Sequence, residues 1–265
     1  MIIGELINSS RKAVRPLIAE RDAQAICEVA AAQVKAGADY IDLNCGTFWE
    51  EEPERLRWLV ETVRQAVDAP LSLDSPNPQA LASALPAAGQ QVLINSISAE
   101  KERFRALLPL ILEYRAKVVA LCMADGEIAQ TAEDRVMIGG RLIEDLTAAG
   151  VALDDIYLDP LVQPLSVSEA GAGVITETVR RIRQLYPGVH TVCGLSNISF
   201  GLPNRKLINR YFLAQAISAG MDSFILDPTD QKLMGAYYAS RALAGQDRFC
   251  GQYLKAHRRG LYSGE

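Results

Sequence analysis

The chain has 265 residues, is 49% hydrophobic and carries a net charge of −5. That acidic balance excludes a nucleic-acid surface, which needs clustered Lys and Arg, and no apolar run is long enough to span a bilayer. Its five cysteines, Cys27, Cys45, Cys122, Cys193 and Cys250, form no CxxC pair, which argues against a zinc ribbon or disulfide framework and fits a reducing, cytoplasmic setting.

Taken in order, eight apolar runs read as strands, at residues 2–7, 40–44, 71–74, 92–95, 118–123, 156–159, 191–194 and 223–227. They are nearly continuous in apolar residues, as strands covered on both faces are. A helical pattern follows each, starting near Asp22, Pro53, Pro78, Glu100, Ala132, Glu169, Arg205 and Gln231. Ala36-Gly37, Ala88-Gly89, Ala149-Gly150 and Ala219-Gly220 close helices just before strands, where glycine accepts the left-handed conformation. Strict alternation predicts parallel strands with right-handed crossovers, and eight units predict an α/β fold closed as a single (β/α)8 TIM barrel. A doubly wound open sheet is the alternative.

The opening MIIGELINSS lacks the basic start and long apolar core of a signal peptide. Residues 247–258 read as an extra C-terminal helix, with the basic run at 255–259 as its solvated end. No composition shift marks a second domain, so one domain over 1–265 is expected. Gly171-Ala172-Gly173 lies in a helical entry and not directly after a strand, so it is no dinucleotide fingerprint. The longest polar insertion, 125–135, reads as a solvated loop, with a lid as the alternative.

Polar residues gather where strands end. Glu5 and Asn8 follow the first, Asp42 and Asn44 end the second, and Asp74, Asn95, Asp159, Asn197 and Asp227 mark five of the others. In a barrel these converge on one mouth, where catalysis occurs. Helix capping is the structural alternative, since Asp, Asn and Ser are preferred caps. Asn77 before Pro78 already makes a cap, which frees Asp74; Ser98 can cap the next helix, which frees Asn95; Asn204 can cap the seventh, which frees Asn197. Asp159 precedes Pro160 and so sits in extended chain. Asp42, Asp227 and Glu5 stay open between a site role and a bond to a neighbouring loop.

His190 opens a strand and His257 lies in the tail, so a His-based triad or a His-rich metal site is not expected. Cys45, Cys122 and Cys193 lack a neighbouring base and read as small buried hydrophobes. Carboxylates and amides in an apolar mouth suit a flat heterocycle with a donor–acceptor edge, such as a pterin.

The segments GELIN (4–8), DLNCG (42–46), LDSPN (73–77), LINS (93–96), YLDPL (157–161) and GLSNISFGLPNRKLINR (194–210) resemble the pterin-binding methyltransferases. The resemblance is to the methyltetrahydrofolate:corrinoid protein methyltransferases, including those that serve corrinoid/iron-sulfur proteins, and it covers nearly the whole chain. It implies a barrel enzyme that moves a methyl group between N5 of tetrahydrofolate and the cobalt of a corrinoid (cobalamin) carried by a separate protein. By the same resemblance Asp74, Asn95 and Asp159 hold the pterin, Asn197 sits at the methyl-bearing nitrogen, Gly194 and Ser196 shape the floor, and Arg205 lies at the mouth. Asn197 and Asp74 are the implied catalytic residues, and a homodimer is implied.

Leu6 departs from the pattern, because related sequences often carry a basic residue there. Dihydropteroate synthase shares the barrel and the pterin site, but its late Ser-Arg-Lys block is missing here. A non-catalytic folate-binding protein is the remaining alternative. The Asp-x-His-x-x-Gly motif of a corrinoid-binding module is absent.

Overall fold

The computed structural model describes residues 1–168 and 171–263. The strands are β1 (Ile2–Asn8), β2 (Tyr40–Asn44), β3 (Leu71–Asp74), β4 (Val92–Ser98), β5 (Lys117–Leu121), β6 (Met123–Ala124), β7 (Glu127–Ile128), β8 (Ile156–Asp159), β9 (His190–Gly194) and β10 (Ser223–Leu226). Eight of them close into a parallel barrel in the order β1-β10-β9-β8-β5-β4-β3-β2, while β6 and β7 pair as a separate antiparallel hairpin. The open-sheet alternative is thereby excluded. The helices are α1 (Arg15–Ala19), α2 (Ala23–Lys35), α3 (Glu52–Arg64), α4 (Pro78–Ala84), α5 (Lys101–Tyr114), α6 (Ala132–Ala148), α7 (Gly171–Leu185), α8 (Arg205–Ser218), α9 (Gln231–Leu243) and α10 (Gly251–Arg258). Among the described residues no helix is long and apolar enough to cross a membrane.

The strand pleat explains what fills the barrel. Successive side chains on a strand point to opposite faces, so every second residue faces inward. Ile3, Tyr40, Leu93, Val119, Tyr157 and Val192 form the buried interior cluster. The alternate residues, among them Ile41, Leu43, Leu71, Leu73, Ile94 and Val118, pack outward in the larger apolar layer beneath the helices. Two positions beyond the interior residues, and on the same face, come Glu5, Asp42, Asn95, Leu121, Asp159 and Gly194. The apolar plug therefore ends in a mostly polar ring at the C-terminal end of the barrel.

Local signals set the elements. Asp22 caps α2 by accepting from Ala25 N at 3.0 Å, and Asn77 caps α4 by accepting from Gln79 N at 3.0 Å. Gly37, Gly89, Gly150 and Gly220 all have φ between +85° and +105° after their helices, as the Ala-Gly punctuation implies.

Several boundaries differ from the sequence reading. The fifth strand ends at Leu121, and Met123 belongs to the hairpin instead. The 125–135 stretch is no open loop: it holds the hairpin turn, β7 and the first turn of α6. Thr131 and Asp134 form a reciprocal capping box there, with N–H to oxygen distances of 3.1 Å each way. Ser98 does not cap α5; it lies inside β4, and its hydroxyl donates to Glu100 Oε2 at 2.8 Å. Asn204 stands at the start of α8 in a left-handed conformation, but its side chain caps nothing. The expected helix start near Glu169 lies outside the described residues, and α7 is described from Gly171. The C-terminal helix starts at Gly251, where Asp247 accepts from Gln252 N and Tyr253 N, each at 2.9 Å.

Gly4 has a specific packing role. A Cβ there would collide with Gln33 Oε1, and that oxygen accepts from Leu6 N at 3.0 Å. Gly4→Ala should displace Gln33 and leave the half-buried Leu6 N–H unpaired, at a cost of about 2–4 kcal/mol in chemical unfolding. An unchanged midpoint would show that β1 shifts freely against α2.

Candidate active site

A cavity of about 890 Å³ opens at the C-terminal end of the barrel. That volume lies within the usual range for small-molecule sites. Every residue assigned to the site from sequence lines it: Asp74, Asn95, Asp159, Gly194, Ser196, Asn197 and Arg205. Strand register brings them together. Asn44 pairs with Asp74 across β2 and β3, and Asp74 with Asn95 across β3 and β4.

The floor is a ring of buried and half-buried carboxylates with few donors. Asp42, 2% exposed, accepts from Ser72 Oγ at 2.6 Å and from Asn95 Nδ2 at 3.3 Å. Asp74 accepts from Asn44 Nδ2 at 2.9 Å. Asp159, 8% exposed, accepts from the Leu161 N–H at 2.7 Å through Oδ1. Behind the floor, Arg103 donates to the carbonyls of Ser75 and Ser96 and so ties together the turns after β3 and β4.

Burial dominates the protonation of these groups. It pushes Asp159 up to about 7, against the opposing pull of the Leu161 N–H and Arg135. It raises Asp74 to about 6, against the Asn44 bond and the Arg103 charge. Asp42 is raised well above the usual carboxylate range, first by burial and then by the Asp74 charge. Glu5 is also raised by burial, while its salt bridge to Arg11 at 3.0 Å holds it down. Perturbed carboxyls gathered in one cleft mark a functional site.

The other side of the mouth is built by the turn after β9. Ser196 donates to Glu5 Oε2 at 3.4 Å. Arg205 donates to the Ser196 carbonyl at 2.7 Å and to Ser199 Oγ at 3.1 Å, so it braces the turn that presents Asn197. The Asn197 amide nitrogen stands 3.0 Å from where a Cβ on Gly194 would be. A larger residue at 194 would make that amide give way by a few tenths of an ångström. The exposed Asn197 side chain has no hydrogen bond within the described residues, so its carboxamide is uncommitted.

Asp42 and Glu5, left open by the sequence, are cavity residues, and so is Asp227, although its Oδ1 is committed to Thr229 N at 2.9 Å. The signal for all three was parity: each lies on the inward face of its strand or just beyond it. Arg11, which supplies the cation near Leu6, and Asn209 also line the cavity and had no such signal. His190 lies elsewhere, between Asp222 at 2.9 Å and Asp154 at 3.0 Å. Cys45, Cys122 and Cys193 are buried, and burial pushes each thiol up, as inert core cysteines require.

A family profile described as pterin binding enzyme matches residues 5–227. The chain belongs to the pterin-binding enzymes. Among its relatives in this family is the methylcorrinoid:tetrahydrofolate methyltransferase of Eubacterium limosum, 38% identical over 262 residues, which are 98% of this chain and 97% of that protein. Methionine synthase of Mycobacterium tuberculosis is 31% identical over 239 residues, which are 85% of this chain but only 20% of that much longer protein. A Yersinia pestis dihydropteroate synthase structure superposes with a TM-score of 0.66, covering 94% of this chain and 93% of that one. At 16% identity that likeness speaks for the shared barrel alone.

In this pterin-binding barrel the floor carries a cost that can be measured. Below about pH 3 the Asp159 carboxyl is protonated both folded and unfolded. Between about 4 and 7 the unfolded chain releases the proton and the folded chain keeps it, so stability falls as pH rises. Above that window the full desolvation cost is present. Asp159→Asn should therefore match the parent near pH 3 and exceed it at pH 8 by on the order of 2–4 kcal/mol in guanidinium unfolding. A variant less stable at pH 8 would contradict the sign.

Proposed function

We propose that the protein is a methyltransferase that passes a methyl group between N5 of tetrahydrofolate and the cobalt of a corrinoid held by a separate protein. The observation that carries this reading is the Asp74–Asn95–Asp159 floor facing an uncommitted Asn197, in a chain 38% identical over 98% of its length to a protein with that named activity. Pterin ring N–H and amino groups are donors, and the floor carboxylates have few donors of their own. Each would gain what it lost on burial.

The donor set fits folate, and the reaction asks little covalent chemistry of side chains. The corrinoid supplies either the methyl on cobalt or a nucleophilic cobalt. Toward folate, a C–N bond forms, the Co–C bond breaks with its electron pair left on the metal, and the N5 proton departs. In reverse, that proton must return as the C–N bond breaks. Asp74, Asn95 and Asp159 would fix the ring so that N5 faces the open mouth. Asn197 would donate from its amide to neutral N5, or accept through its carbonyl from protonated N5, so one side chain serves both directions. The corrinoid partner would dock over the mouth, against the β6–β7 hairpin and the 200–203 loop.

The same reading takes residues 1–265 as one domain, a cytoplasmic setting and a homodimer. All five cysteines are free thiols, which supports a reducing compartment. The dimer rests on the family resemblance.

Asn197→Ala should lower methyl transfer between cobalamin and tetrahydrofolate by roughly a hundredfold or more, with circular dichroism unchanged, as loss of one donor at a charged centre does. A folded variant with a near-normal rate would move the proton route to solvent relayed through Asp74. Asp159→Ala should weaken folate binding by about 1–3 kcal/mol in calorimetry. Unchanged affinity would remove Asp159 from the pterin contacts.

A further inference from the structure

Arg135, the fourth residue of α6, is a cation with no task in the account so far. It is 3% exposed, and its Nε is buried with no partner among the described residues. Buried polar atoms are almost always paired, and a buried charge is costly unless something compensates it. A guanidinium cannot shed that cost by losing its proton.

The packing of α6 shows where this charge stands. The helix follows β5 and runs back along the barrel, so its N-terminus is at the mouth. Gly139 lies so close to the barrel that a Cβ there would come within 2.9 Å of Leu158 Cδ2 and 3.1 Å of Cys122 Sγ. Residues four apart share a helix face, so Arg135 lies on the face of Gly139, one turn nearer the mouth. At that level β8 passes from Leu158 to Asp159, and Cys122 N donates to the Asp159 carbonyl at 2.9 Å. The capping box of Thr131 and Asp134 fixes the turn that carries Arg135.

Few other charges act at this point. Asp134, beside Arg135, is committed to the cap, where its Oδ2 accepts from Thr131 Oγ1 at 2.6 Å. The thiols of Cys122 and Cys193 face Asp159, but burial pushes both up and keeps them neutral. Burial raises the Asp159 carboxyl most, and the Leu161 N–H and the Arg135 charge pull it back. Arg135 is not a lining residue of the cavity, so any effect it has on a ligand passes through Asp159.

We propose that Arg135 is a positioning residue of the pterin site: from behind the cavity wall its cation offsets the negative charge that Asp159 takes on when a pterin ring donates to it. The inference rests on the pterin reading of the floor. In the free protein the cation stands beside a carboxyl that keeps its proton part of the time. When the ring binds, its donors and Arg135 together favour the ionised carboxylate, and the Asp159 proton leaves to solvent. Arg135 itself neither gives nor takes a proton. A buried cation that costs stability in the free fold is thereby matched by a charge in the liganded one.

The test is the pH profile of tetrahydrofolate affinity by anaerobic calorimetry. Arg135→Met removes the charge and keeps much of the side-chain length, so the fold should survive. Loss of a nearby opposite charge should raise Asp159 by about one unit, the lower end of such effects. Affinity should then fall about five- to tenfold at pH 6.5 and return to within about twofold of the parent at pH 9, where Asp159 is ionised in both proteins. Arg135→Gln, a second neutral variant, should behave the same way. Arg135→Lys keeps the charge and should follow the parent across the range. Folded neutral variants weakened equally at both pH values would make Arg135 a structural support and overturn the proposal. Unchanged affinity at both would overturn it too, as would failure of both neutral variants to fold. In each of these cases the parent still binds tetrahydrofolate and the pterin reading stands; a parent that does not bind it would sink that reading and the role of Arg135 together.

Discussion

The site depends on the desolvation of carboxylates inside a closed barrel. The pleat sends every second strand residue inward, and the barrel has room for one apolar layer before the chain must turn outward. The next inward residues are Glu5, Asp42, Asn95 and Asp159, with Asp74 beside them on β3. Asp42, Asp74 and Asp159 gather three carboxyl groups, two buried and one half-buried, with only Ser72, Asn44, Asn95 and one backbone N–H as donors among the described residues. The result is a fold that holds protons it would lose in water, and that gains most when a ligand brings donors of its own. A floor optimised for stability alone would be apolar. This one is arranged for a ligand that brings donors.

Catalysis in such a site is a matter of placement. The reacting atoms belong to two substrates, and the chain contributes a rigid floor, a carboxamide at the mouth and an open face. Gly194 and Arg205 shape the surroundings of Asn197: one leaves space for its side chain, and the other holds its turn by bonding the carbonyl of Ser196. The bracing also explains why a guanidinium stands at the mouth without an acidic partner.

Much of this was legible in the sequence. Alternation of strand and helix and the Ala-Gly stops fixed the barrel, because both depend on local chemistry. Asp74 was assigned correctly to the cavity by asking which residue already caps α4. Asn95 and Asn197 also line the cavity, but the capping argument for them fails, since Ser98 and Asn204 cap nothing. Residue type says what can cap, but the backbone decides: β4 runs on through Ser98 after a register shift between Asn95 and Ile97. The hairpin inside 125–135 stayed hidden because it has only two residues in each strand, too few for a period. Arg11 and Asn209 were hidden for another reason. They reach the cavity from a loop and a helix, where no strand parity points inward.

The central claim is that the floor carboxylates are partly protonated when the cavity is free and become charged when a pterin donates to them. Isothermal titration of tetrahydrofolate in two buffers of different ionisation enthalpy measures this directly. With Asp74 near 6 and Asp159 near 7, binding should release protons between about pH 6 and 7.5, and the release should fade by about pH 8.5, where both groups are already ionised. Asp159→Asn should remove much of it. Binding enthalpies that do not differ between the buffers at pH 6.5, or a net uptake of protons, would contradict the account.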